Sequence, residues 1–121
     1  MMLLRESGQA KAKHYELQGV TDRVLKTGVE NEDVLLAYTD AFWNKDRDVL
    51  DRARVALAGR MGAGAVVEAA ITVANFGMVD RIANSIGIPL DAMAVSATSD
   101  FRAALGIDQF PSARNTLPAE N

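Results

Sequence analysis

The feature that most restricts how this chain can fold is the run VVEAAITVANFGMVDRIANSIGIPLD, Val66 to Asp91. It is almost wholly apolar, yet Glu68, Thr72, Asn75 and the adjacent Asp80 and Arg81 are threaded through it. The spacing predicts a helix from about Ala65 to Ile86. Gly87, Ile88 and Pro89 then form a stop: a residue tolerant of positive φ, a capping hydrophobe and a proline that cannot continue. A helix that is apolar all round must be surrounded. Each of its large side chains contributes about 1.5–3 kcal/mol when fully buried, an upper bound. A few short helices can enclose such a rod only in part. The long helix is therefore expected to be a core helix whose remaining surface meets another subunit. A transmembrane span needs roughly 20 predominantly apolar residues with few charges. Glu68, Asp80 and Arg81 interrupt this one, so no membrane partner is expected.

Elsewhere the chain repeats a helical period, and no stretch alternates at period two for long enough to make a strand. A first helical piece is expected from about Glu16 to Lys26, stopped at Gly28. Asn31 reads as an N-cap, with Glu32 and Asp33 in the first turn where the helix dipole favours carboxylates. Val34, Leu35, Tyr38, Ala41 and Phe42 make a core-facing stripe, broken at Asn44 and Lys45. A further helix, about Asp46 to Ala58, carries Val49, Leu50, Ala53, Ala56 and Leu57. Its other face offers Arg47 to Asp51 and Asp48 to Arg52 as pairs four apart, a solvated face and not a site. GRMGAG, Gly59 to Gly64, is expected to be a hinge; without a preceding strand or a GK[ST] it is no phosphate loop. After Pro89 come a weakly ordered segment, a short helix near Ser99 to Leu105 and a polar tail. The expectation is an all-α, multi-helix single domain over residues 1–110, with a C-terminal tail over 111–121.

Bulk composition narrows the function. The net charge of −3 argues against a nucleic-acid surface, which needs clustered Lys and Arg. The chain has no cysteine, so it forms no disulfide, offers no thiolate to a metal and does no thiol redox chemistry of its own. MMLLRESG places a charge after a short apolar start, the reverse of a secretory leader, so a cytoplasmic location is expected. With one His, no Cys, and acidic residues gathered at helix starts, no metal or cofactor is expected.

The polar residues of the apolar helix are the first site candidates. At about 100° per residue Glu68, Thr72 and Asn75 lie within roughly 60° of one another. An ionised Glu in an apolar setting needs a partner or must take up a proton. Glu68 therefore either pairs with a cation of a neighbouring helix or subunit, or edges a small pocket as a general acid or base. Arg81 suits a helix-end anchor or an interface ion pair. Trp43, beside the apolar stripe of its helix, is a core or interface residue or a platform for a ligand.

AYTDAFW (Ala37 to Trp43), followed by the run from Val66 to Asp91, resembles the second half of the alkylhydroperoxidase-D-like and carboxymuconolactone-decarboxylase-like family. The resemblance covers about Leu35 to Asp91 and rests on Glu68, Phe76, Arg81, Gly87, Pro89 and Asp91, in order and without a gap. Gly77 and Asp80 depart from it, standing where members often carry asparagine. It implies an all-helical fold whose subunits join into dimers, trimers or hexamers. The redox members use C-x-x-C-x-x-x-H; here SGQAKAKH puts Ser7 and Ala10 in the cysteine places ahead of His14, so peroxidase activity is not expected. The decarboxylase branch needs no thiol, only a cation for a carboxylate and a proton donor. Its chemistry would draw on Glu68 and His14 as acid or base, with Arg81 or Lys13 as clamp.

Three functions follow. The first is a non-redox homo-oligomer of this family that binds a small organic ligand near the subunit interface, through Thr72, Asn75, Trp43 and Arg81. The second is a cofactor-free, decarboxylase-type enzyme acting on a carboxylated lactone. The third is a subunit that scaffolds a cysteine-bearing partner.

Overall fold

The computed structural model describes residues 14–115. Ser7, Ala10, Lys13 and the tail beyond Asn115 lie outside the described residues. What is described is helical, without a strand, and falls into two compact units. One is Gly28–Met78; the other combines residues up to Thr27 with those from Val79 onward.

The Gly28–Met78 unit is built on a helical hairpin. Helix α1 (Glu32–Trp43) starts after Asn31, whose backbone is left-handed at φ 56°, a conformation asparagine tolerates. Its side chain makes no capping hydrogen bond, so the stabilisation of this end comes from Glu32 and Asp33 in the first turn. The helix ends at Asn44, which turns extended. The Asn44 side-chain carbonyl accepts from the Asp46 amide at 3.0 Å. Asp46 Oδ1 in turn accepts from the Asp48 and Val49 amides at 2.9 and 3.3 Å, capping helix α2 (Arg47–Met61). So short a link folds α2 back against α1. Between them Tyr38, Ala41 and Leu57 are buried, Leu57 completely. The predicted stripe of α1 thus faces the core. On the solvated side of α2 Asp51 pairs with Arg54, three residues on, and not with Arg47. Arg60 lies 3.8 Å from Asp33 across the hairpin, an exposed pair of little energetic weight.

The expected six-residue hinge is much shorter. Helix α2 runs through Gly59 to Met61, only Gly62 leaves the helix at φ 90°, and helix α3 (Ala63–Ile86) begins at once. A glycine breaks a helix where its positive φ is used, and of Gly59, Gly62 and Gly64 only Gly62 uses it.

In the second unit α3 stops as expected. Gly87 is left-handed at φ 65°, and the Ile88 amide donates to the Ala83 carbonyl at 3.1 Å, the six-to-one bond of a Schellman cap. The segment after Pro89 is more ordered than its composition suggests: Asp91 caps helix α4 (Ala92–Ala97) by accepting from the Ala94 amide at 2.7 Å. Helix α5 (Ser99–Leu105) follows and ends at left-handed Gly106. Short 3₁₀ turns occupy Ile107–Gln109 and Pro111–Asn115. The first helical piece expected over Glu16–Lys26 is only a 3₁₀ turn, Leu17–Val20. The backbone doubles back there, with the Glu16 amide donating to the Thr27 carbonyl at 2.9 Å. A Cβ on Gly19 would lie 2.9 Å from both the Leu25 oxygen and the Thr27 nitrogen. Closure of this loop, which a continued helix could not make, outweighs the helical period of the side chains.

Candidate functional site

Helix α3 carries most of the candidate residues, and its environment differs from a core helix. Of its 24 residues only Gly77 is buried. Val67, Ile71, Met78, Val79, Ile82 and Ile86 leave from 50% (Val79) to 68% (Ile86) of their surface in water, within an arc of about 120°. The described helices therefore cover α3 only in part, as expected: Val66, Ala69, Ala70, Val73 and Gly77 form a half-buried to buried stripe, and the opposite face is left in water. Among the described residues it is the one helix long and apolar enough, by length and composition, to cross a membrane.

One contact pins α3 inside the Gly28–Met78 unit. The Trp43 indole lies against the backbone of Gly77 so closely that a Cβ there would overlap its six-membered ring. Trp43 remains half exposed and meets Phe42 edge-on, with ring centroids 5.3 Å apart. Trp43 thus serves as a packing residue on this side, and Gly77 is the residue that lets it in. In the sequence Gly77 stands out only as a departure from a family pattern. The available signal was a lone glycine inside a long helical pattern, which marks a close approach.

Glu68, Thr72 and Asn75 are exposed on α3. The Thr72 hydroxyl donates to the Glu68 carbonyl oxygen at 2.8 Å, so its polar group is satisfied within its own helix. The Glu68 carboxylate forms no ion pair with a described residue, and the Asn75 amide no hydrogen bond with one. The three share a helix face as their spacing predicts, open to whatever covers that face. Arg81 and His14, both exposed, belong to the other unit. No group of three or more His, Cys, Asp or Glu among the described residues could hold a metal ion.

Chemically, the face offers one carboxylate, one amide and a set of aliphatic side chains. No described residue holds the Glu68 carboxylate in place, so Glu68→Gln is expected to change the unfolding free energy of the dissociated chain by no more than about 0.5 kcal/mol. Urea unfolding at high dilution measures this; a loss well above that value would mean that the carboxylate is paired within the chain.

The second unit contains a buried charge that the sequence pattern does not reveal. Arg102, on α5, is 8% exposed. Its Nη1 donates to the Thr98 hydroxyl at 3.3 Å, and its Nε lies 3.2 Å from an Asp108 carboxylate oxygen. Periodicity gives no sign of which arginine in a helix is buried.

Compared with family models, with curated proteins and with solved structures, the chain matches none of them.

Proposed function

We propose that this protein is a non-redox helical homo-oligomer, assembled through α3, that takes a small organic ligand beside the subunit contact. The observation that carries this is the uncovered apolar face of α3. Covering what its six large aliphatic side chains leave in water would contribute roughly 5–10 kcal/mol per copy and about double across a symmetric pair. The cost of association is about 4–15 kcal/mol. A second copy supplies such a cover from the same sequence. It also offers hydrogen-bonding groups to Asn75 and Glu68, which acyl chains do not. A contact of this kind is mostly apolar with a few polar groups at its edge, the composition that small ligands use. The family resemblance points the same way, toward helical subunits joined through helices, and the absence of cysteine makes the reading non-redox.

The test is association state. Wild-type protein is expected to sediment as a multiple of 13.0 kDa. Ile82→Lys, alone or with Ile71→Lys, is expected to return it to a single chain with unchanged helical circular dichroism, because an ammonium centred in the contact would have to be desolvated. A wild-type particle that remains a lone chain at high concentration overturns the proposal. So does a wild type that floats with phosphatidylcholine vesicles and self-associates only there.

A further inference from the structure

The exposed face of α3 has a centre, and the residue there is polar. Twelve residues of the 24-residue helix precede Asn75 and eleven follow it. At about 100° per residue Glu68, Ile71, Val79, Ile82 and Ile86 all point within roughly 40° of Asn75. All of these residues are exposed. A carboxamide at the midpoint of an apolar face weakens any association that buries it without a partner. It has one acceptor oxygen and two N–H donors, so it is complementary to itself: two such groups facing across a two-fold axis can exchange hydrogen bonds.

We infer that α3 pairs antiparallel with α3 of a second copy about a two-fold axis at Asn75, the two Asn75 carboxamides fixing the register. This rests on the homo-oligomer reading above and adds the arrangement to it. Antiparallel pairing about residue 75 sets Ile71 beside the partner's Val79, and Glu68 beside the partner's Ile82. The parallel, in-register alternative also joins the two Asn75, but it brings Glu68 against the partner's Glu68 and sets the two helix dipoles side by side and parallel, like end beside like end. A slipped register leaves each Asn75 against aliphatic side chains. Polar residues at such positions select register and oligomer state at a cost in affinity.

Because the chain has no cysteine, a single introduced thiol reports the geometry directly. Asn75→Cys is expected to form a covalent dimer in a glutathione redox buffer, since a disulfide needs Cα atoms about 4.4–6.8 Å apart and the axis places the two positions together. Ile71→Cys is expected to cross-link at least about tenfold less, because the two copies of residue 71 lie roughly 12 Å apart along antiparallel helices. Asn75→Leu is expected to tighten association about tenfold or more and to broaden the distribution of subunit counts. If wild type associates but Asn75→Cys stays monomeric, or Ile71→Cys cross-links as well as Asn75→Cys, this arrangement is overturned and the homo-oligomer stands. If wild type never associates, the homo-oligomer falls and the arrangement with it.

Discussion

Gly77→Ala is expected to destabilise the protein by about 1–3 kcal/mol, whereas Gly59→Ala is expected to stabilise it by about 0.5–1 kcal/mol. Both glycines sit in helices, where replacing glycine by alanine ordinarily gains stability by lowering the entropy of the unfolded chain. At Gly59 nothing lies within 4 Å of an added Cβ, so the ordinary gain should appear in full. At Gly77 the added methyl meets the Trp43 ring. The ring must swing off α3 into water, losing its packing and the attachment of α3 to the end of α1. Overpacking of this kind outweighs the helix-propensity gain. Trp43 is the only tryptophan, so its fluorescence reports the event: the emission of Gly77→Ala should shift to the red, and that of Gly59→Ala should not. Adding Trp43→Leu to Gly77→Ala should recover part of the loss, because the two positions are in contact and their effects are not additive. If Gly77→Ala melts above wild type, the indole does not occupy that place.

What the sequence makes legible here is what depends on near neighbours in the chain. The stop at Gly87 is a local device of six residues, and it forms as read. The break at Asn44 and Lys45, the cap at Asp46 and the short helix from Ser99 to Leu105 are equally local. What it leaves hidden depends on contacts made at a distance. Leu17, Val20, Val24 and Leu25 have a helical spacing, but the close approach of Gly19 to the backbone of Leu25 and Thr27 turns the chain there instead. Three glycines in GRMGAG suggested a hinge, yet composition does not say which of them adopts a positive φ. The common face of Glu68, Thr72 and Asn75 follows from a helix turning about 100° per residue and needed no structure. Whether anything covers that face is not a property of the periodicity. The same apolar pattern suits a rod buried by its own chain and one buried by a copy, and the described residues cover one stripe of it while leaving the face around Asn75 exposed.

The other large effect lies at Arg102, where losing the partner should cost more than losing the charge. Asp108→Ala is expected to destabilise the protein by about 1–3 kcal/mol, and Arg102→Met by less than about 1 kcal/mol, as read from urea unfolding. The Arg102 guanidinium is almost wholly out of water, while the Asp108 side chain is 40% exposed. Removing the carboxylate therefore leaves a buried cation whose Nε, unaligned for a hydrogen bond with Asp108 even at 3.2 Å, has no other partner. Removing the cation leaves only a carboxylate that can turn to solvent, and methionine fills much of the arginine's aliphatic volume. The exposure of Asp108 is why the expected loss falls below the 3–5 kcal/mol or so of a fully buried pair. Thr98 sets the geometry, since its hydroxyl donates to the Ala94 carbonyl at 2.6 Å while accepting from Arg102. One chain of contacts thus runs from the end of α4 through α5 to the turn at Ile107–Gln109. Thr98→Val should remove its middle link and loosen α4 from α5 without exposing the cation to water, giving a loss smaller than that of Asp108→Ala. If Arg102→Met proves the costlier of the two charge removals, the pair contributes net stability, and the asymmetry argued from desolvation is wrong for this site.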